Sequence, residues 1–78
     1  MNKEFYLVSI LSAENNALFK HVGIITDLSK LDDIRNNIKR EEDISFIDNP
    51  YVYKNGDIRY SSEANIFALD VEKVKVLD

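Results

Sequence analysis

The amino-acid sequence predicts an α+β domain in which a single helix packs on a mostly antiparallel sheet of four to six strands. Only residues 27–40 have sustained helical spacing of their apolar side chains. Runs of β-branched and aromatic residues lie on both sides of this segment. Asn55-Gly56, between two such runs, marks a hairpin turn. The predicted order is β-β-α-β-β-β, within one compact domain spanning residues 1–78.

Two strands precede the helix. Residues 4–11 are β-forming and apolar on both faces, which predicts a strand in the interior of the sheet. Residues 18–26 form the second strand, and the polar connector 12–16 makes the two an antiparallel pair. Regular alternation would place His21, the only histidine, on one face of the second strand with Phe19 and Ile25. We interpret His21 as a packed or rim residue.

The helix is predicted from one apolar stripe and from its charge order. Ser29 fits the N-cap position, because its hydroxyl can accept a hydrogen bond from a free backbone N–H of the first turn. Asp32 and Asp33 lie in that turn, where the helix dipole favours acidic side chains. Together with Asp27 they are also the residue types of a divalent-cation cluster, although the dipole alone explains two of them. The stripe consists of Leu28, Leu31, Ile34 and Ile38.

An acidic run, Glu41-Glu42-Asp43, follows the predicted helix. Acidic charge opposes the negative end of the helix dipole, so the run is not placed for helix stability. It is either a solvated loop or a landing site for a basic partner. Residues 44–47 form a short strand candidate, and Asp48-Asn49-Pro50 turns the chain because proline excludes both a helix and a central strand.

The segment 51–60 has the strongest local signal. Asn55-Gly56 is the preferred sequence of a type I′ turn, in which both central residues have positive φ. That turn pairs Tyr53 with Ile58, Val52 with Arg59 and Tyr51 with Tyr60. It places Tyr51, Tyr53, Ile58 and Tyr60 on one face of the hairpin and Arg59 on the other. The tyrosine face is either core, if it lies on the helix, or an exposed binding patch, if the helix covers the opposite side.

Residues 65–69 and 73–77 are the last two strand candidates, separated by a predicted bend at residues 70–72. Lys73 and Lys75 are typical of an edge strand protected against pairing with another chain.

The composition excludes several classes of function. A net charge of −4 argues against general nucleic-acid binding, which needs a basic face. With only Gly23 and Gly56, the chain cannot build a phosphate-binding loop, and it contains no cysteine for a disulfide or a thiolate metal site. The lack of cysteine favours a reducing cytoplasm. We interpret the apolar N-terminal run as a strand and not as a signal peptide, and no segment is long enough to span a bilayer.

These observations favour a small acidic, non-enzymatic protein-binding module without cofactor, metal or catalytic residues. Its partner would be a protein, with a basic surface as the natural complement of an acidic face. A phage-type inhibitor of a host nucleic-acid enzyme or defence complex is the most concrete version. The alternatives are a self-associating structural or accessory subunit, including a homodimer, and an enzyme with an inter-subunit site at His21. The candidate partner-binding residues are Tyr51, Tyr53, Arg59, Tyr60, Glu41, Glu42 and Asp43.

The order of strand, strand, helix and the short segment 44–47, ending in Val74-Lys75-Val76-Leu77, resembles the small epsilon subunit of RNA polymerase from low-GC Gram-positive bacteria. The resemblance covers topology and a few apolar positions. The Asn55-Gly56 hairpin and the additional C-terminal length depart from that family. The resemblance implies a partner-binding role as an accessory subunit.

Overall fold

The computed structural model describes residues 4–75 and has one α-helix and five strands. A short 3-10 turn, Leu28–Lys30, leads into the helix α1, Leu31–Glu42. The predicted α+β class, its element order and its antiparallel sheet are confirmed. The strands are β1 (Phe5–Ser12), β2 (Leu18–Ile25), β3 (Tyr51–Val52), β4 (Ile58–Ser61) and β5 (Phe67–Val74).

The five strands form one antiparallel sheet in the order β2-β1-β5-β4-β3, so β1 lies between β2 and β5 as its two apolar faces predict. Because side chains alternate along a strand, β1 divides the sheet into two faces. Tyr6, Val8 and Ile10 are buried and pack in the core with Leu31 and Ile38 of α1. We call this the helix face. The opposite side, which α1 does not cover, is the open face.

The helix begins later than predicted. Asp27, and not Ser29, caps the entry: its Oδ1 accepts a hydrogen bond from the backbone N–H of Ser29 at 2.9 Å. The 3-10 turn follows. Its last residue, Lys30, directly precedes α1 and forms no side-chain capping hydrogen bond. The predicted N-cap is therefore wrong, because the chain tightens into this turn before the regular helix starts. Leu28, in the turn, remains 37% exposed, whereas Leu31 is buried.

The helix also extends two residues past Arg40. Glu41 and Glu42 lie within the last turn of α1, and Asp43 ends the helix in the left-handed conformation with a φ of 57°. The backbone N–H of Asp43 donates to the carbonyl oxygen of Lys39 at 3.1 Å. The predicted acidic loop is thus the end of the helix and its cap.

The hairpin register differs by one residue from the predicted one. Tyr51 pairs with Arg59 and Val52 with Ile58, and only Gly56 has positive φ in the turn. The N–H of Tyr53 donates to the carbonyl of Asp57 at 2.8 Å, and the N–H of Gly56 donates to the carbonyl of Tyr53 at 3.0 Å. The prediction of a type I′ turn is wrong because the loop contains three residues with glycine last.

This change of register separates the tyrosines, because a shift of one residue moves a side chain to the other face. Tyr60 is buried on the helix face, whereas Tyr51 is 65% exposed and lies with Arg59 on the open face. The Arg35 guanidinium carbon lies 4.8 Å from the centroid of the Tyr60 ring. Arg35 also forms ion pairs with Asp32 and Asp48, so it joins α1 to the loop that leads into β3.

The segments near β5 also differ from the prediction. Residues 44–47 contribute one isolated bridge, Phe46 with Ser62, and no extended strand. The predicted bend at residues 70–72 is absent from the described chain, because Asp70 and Glu72 are paired with Ser9 and Leu7 of β1 within continuous β5. Of the predicted strand 73–77, residues 76 and 77 lie outside the described residues.

The second strand contains two β-bulges that break its predicted alternation. The register with β1 shifts between Val8 and Ser9 and again between Ile10 and Leu11. As a result, the β2 residues that pair with open-face residues of β1 are three positions apart in sequence and not two. These residues are Leu18, His21 and Ile24, opposite Leu11, Ser9 and Leu7 respectively.

The register predicts opposite outcomes for two tyrosine substitutions. Tyr60→Ala removes a buried ring and should lower the free energy of unfolding by about 3–5 kcal/mol. Tyr51→Ala removes a ring that is 65% exposed and that meets the Tyr53 ring edge to face, so we expect a loss below about 1.5 kcal/mol. Urea denaturation followed by circular dichroism measures both. Equal losses would contradict the observed register.

Candidate protein-binding face

Cross-strand pairing arranges the open face in rows that run across the sheet. One row crosses all five strands, because each of its members pairs with the next across a strand boundary. Rows on either side are defined by Leu11 and Leu7 of β1 in the same way. The sheet therefore brings together residues that are far apart in sequence. The complete row is His21, Ser9, Asp70, Arg59 and Tyr51.

The part of the open face over β1 and β2 is apolar on either side of the Ser9–His21 pair. Ile24 is 64% exposed and Leu18 is 52% exposed, and the β1 residues between them are only partly covered. Large apolar side chains grouped in this way are unusual on a surface that faces only water. We call this surface the apolar half. Its members are Phe5, Leu7, Leu11, Leu18 and Ile24, with Val74 of β5 at one end.

Next to the apolar half, β5 and the end of the hairpin loop before β4 carry an acidic strip formed by Asp57, Asp70 and Glu72. Oδ1 of Asp57 accepts a hydrogen bond from the backbone N–H of Lys73 at 2.8 Å, which ties it to the sheet. Asp70 and Glu72 have no side-chain ion pair with any residue in 4–75. Burial raises the pKa of the Asp70 carboxyl, and the nearby negative charge of Glu72 raises it further.

Arg59 is the one cation in this row, and its guanidinium is directed elsewhere. Nη1 of Arg59 donates to Oδ1 of Asn16, in the connector between β1 and β2, at 2.8 Å. Its positive charge still lowers the pKa of Asp70 somewhat, but burial and Glu72 outweigh it. The Asp70 carboxyl group is therefore partly removed from water, and no cation within residues 4–75 forms an ion pair with it.

Two tyrosines end the open face at the short edge strand. The rings of Tyr51 and Tyr53 meet edge to face with centroids 4.7 Å apart, and both side chains are largely exposed. Tyrosine gives a large contact area with a hydrogen-bonding group at its tip, and it is enriched in binding interfaces. With Arg59, this pair forms the part of the predicted tyrosine surface that is available for contact.

The polar residues in the centre of the face have the side chains of a hydrolytic triad but not its order. Oγ of Ser9 lies 3.3 Å from Nδ1 of His21, and Asp70 is the cross-strand neighbour of Ser9 on the other side. In a hydrolytic triad the histidine lies between the serine and the acid. Here the serine is central and is only 6% exposed. The geometry favours a structural hydrogen bond between β1 and β2.

The acidic run is separate from this face. Glu41, Glu42 and Asp43 lie at the end of α1, on the helix side of the sheet. Oε1 of Glu42 and Nζ of Lys20 form an ion pair of 2.7 Å across a cavity of about 210 Å³ between α1 and β2. One carboxylate of the run therefore already has an internal partner.

The seven predicted partner-binding residues thus occupy three places. Tyr51, Tyr53 and Arg59 lie on the open face, Tyr60 lies in the core, and the acidic run lies at the end of α1. The prediction that all the tyrosines share one face is wrong because of the three-residue loop. The apolar half and the acidic strip were missed. The alternation in β1 is visible in the sequence, but the bulges that align Leu18 and Ile24 with it are not.

Comparison with protein-family models, with characterised proteins and with solved structures finds no match to this chain. Within residues 4–75, no helix is both long and apolar enough to cross a membrane. In the same part of the chain, no group of three or more histidine or acidic side chains is arranged to hold a metal ion. Of the three aspartates near the start of the helix, Asp27 caps the 3-10 turn and Asp32 pairs with Arg35.

The raised pKa of Asp70 predicts a specific dependence of stability on pH. A carboxyl whose pKa is higher in the folded state stabilises the fold when protonated, so its contribution is complete below the ordinary pKa of 3.8. That contribution is lost as the pH rises through the raised pKa. The unfolding free energy of the native chain minus that of Asp70→Asn should therefore fall over this interval.

Chemical denaturation at several pH values measures this difference. Subtracting the variant removes the opposite effect of Glu4 and Asp27, whose pKa values are lowered by hydrogen bonds to Tyr6 and to the backbone N–H of Ser29, respectively. A difference that rises with pH would show that Asp70 is stabilised as a carboxylate.

Proposed function

We propose that this protein is a non-enzymatic protein-binding module that acts on a larger protein complex through its open face. The observation that carries the proposal is the one-sided coverage of the sheet. The helix face carries the buried core, whereas the open face presents exposed Leu18 and Ile24 to solvent. Apolar side chains grouped on one surface gain free energy when a partner removes them from water.

The composition of the open face supports recognition of a protein. Tyr51, Tyr53 and Arg59 belong to the residue types that contribute most to binding energy at protein interfaces. Asp70 and Glu72 add charge beside the apolar half, which favours complementary partners and excludes those of like charge. The surface thus places apolar residues beside charged and aromatic ones, a combination that protein interfaces use.

Within this class, we favour an inhibitor of phage type that acts on a host nucleic-acid enzyme or defence complex in the cytoplasm. The net charge of −4 suits a partner that is basic because it handles nucleic acid. The lack of cysteine suits a reducing compartment. An accessory subunit of an assembly such as RNA polymerase would use the same face and is the second candidate.

Site-directed photo-crosslinking in cells of the source organism tests the proposal. A photoreactive phenylalanine analogue replaces Leu18 on the open face in one variant. In the matched control it replaces Asn36, an exposed residue of α1 on the far side of the molecule. We expect a crosslinked protein of one discrete mass from position 18 and none from position 36.

Ile24→Asp, introduced together with the crosslinker at position 18, should abolish that product, because it places a charge in the apolar half. Ile24 is mostly exposed, so the substitution should leave the thermal unfolding temperature nearly unchanged. Crosslinks only to a second copy of the chain, confirmed as a dimer by light scattering, would favour the self-associating alternative. Equal crosslinking from both positions would overturn the proposal.

A further inference from the structure

The apolar half has the dimensions of a single helix. It is centred on two neighbouring strands, β1 and β2, and strands lie about 4.8 Å apart, so with its side chains it is roughly 10 Å wide. Each strand has eight residues, which gives a length of about 26 Å. An α-helix with its side chains has a diameter of about 10–12 Å. One helix lying along the strands would therefore cover this surface.

One long side of the apolar half is acidic. On the β5 side, Asp70 and Glu72 border it, two residues apart on one strand and therefore about 7 Å apart. On a helix, residues i and i+4 lie on the same side with a rise of about 6 Å. Two basic side chains at this spacing would reach both carboxylates at once.

We propose that the open face receives an amphipathic helix of the partner, with its apolar stripe on the apolar half and with lysine or arginine at positions i and i+4 beside Asp70 and Glu72. This inference rests on the proposed function and adds the chemistry of the partner. The basic side chains would supply the cations that these carboxylates lack within residues 4–75.

A second copy of this chain is a poorer occupant of the same surface. Two open faces packed together would bring two acidic strips into one interface, and each copy offers only Arg59 as a cation in its central row. Carboxylates removed from water without a partner cation carry a large desolvation cost. The charge pattern therefore favours a foreign, basic helix over self-association.

Addition of a foreign strand to the edge of β2 is also disfavoured. The two bulges in β2 interrupt the regular spacing of its backbone groups. Bulges of this kind protect edge strands from pairing with other chains. Lys20, in the same strand, adds a charged side chain that is bound to Glu42.

Two synthetic helical peptides test the inference. Both have about 18 residues and the same leucine stripe. One carries lysines at i and i+4 on one flank of the stripe, and the other carries glutamates there. Fluorescence anisotropy with the full chain should give a Kd at least about tenfold lower for the lysine peptide, because two charge pairs form and two repulsions are avoided. Equal affinities, tighter binding of the glutamate peptide, or no binding of either would overturn it.

Charge reversal on the protein provides the complementary test. Asp70→Lys with Glu72→Lys should reverse the preference, so that the glutamate peptide binds more tightly. The milder Asp70→Asn with Glu72→Gln should reduce the preference to about threefold or less, and it serves if the reversed variant does not fold. Asp33→Lys is the matched control on α1, on the helix side of the sheet, and it should leave the preference unchanged. Unaltered preference in both the reversed and the milder variant would overturn the inference.

This experiment can fail separately from the proposed function. A discrete crosslink from position 18 combined with no peptide preference would mean that the open face binds a protein, but not through a basic helix. Absence of both would remove the proposed function as well.

Discussion

The alternation of side chains along β1 connects the core of this protein to its exposed surface. Tyr6, Val8 and Ile10 face the single helix, and their burial requires the intervening residues to face the other way. These intervening residues are also mostly apolar, because β1 is an interior strand. With one helix for five strands in residues 4–75, only one side of the sheet is covered. The same alternation that builds the core therefore produces the apolar half.

The length of one loop decides which aromatic residues are available for binding. With three residues between Tyr53 and Asp57, Tyr60 lies over the core and Tyr51 lies outside. A two-residue turn would have placed both on the same face. Arg35 of α1 lies over the Tyr60 ring and forms ion pairs with Asp32 and Asp48. These contacts stabilise the buried position of Tyr60, although Arg35 is far from it in sequence. A residue of α1 thus contacts the one hairpin tyrosine that lies in the core.

The sequence predicts the helix and the strands of this fold better than it predicts the register in which the strands pair. Periodicity is a local property, so the sequence alone predicts the interior strand in residues 4–11, the helix in residues 27–40 and the hairpin in residues 51–60. Register is not local: Asn55-Gly56 is compatible with two loop lengths, and the observed one buries Tyr60. The bulges of β2 likewise depend on pairing with β1. Asp70 and Glu72 suggest a bend when the sequence is considered alone. In the structure both lie in continuous β5, with their side chains on the open face.

Asp70 connects this half-open architecture to the binding role proposed above. Its carboxylate is partly buried beside Glu72, and the neighbouring arginine bonds to Asn16 instead. Such a group lowers the stability of the isolated chain at neutral pH, and an asparagine would fit the same space without that cost. Violations of local physical rules are expected mainly at functional sites. A partner that brought a cation to this carboxylate would stabilise it, so the feature that weakens the free protein would strengthen the complex that we propose.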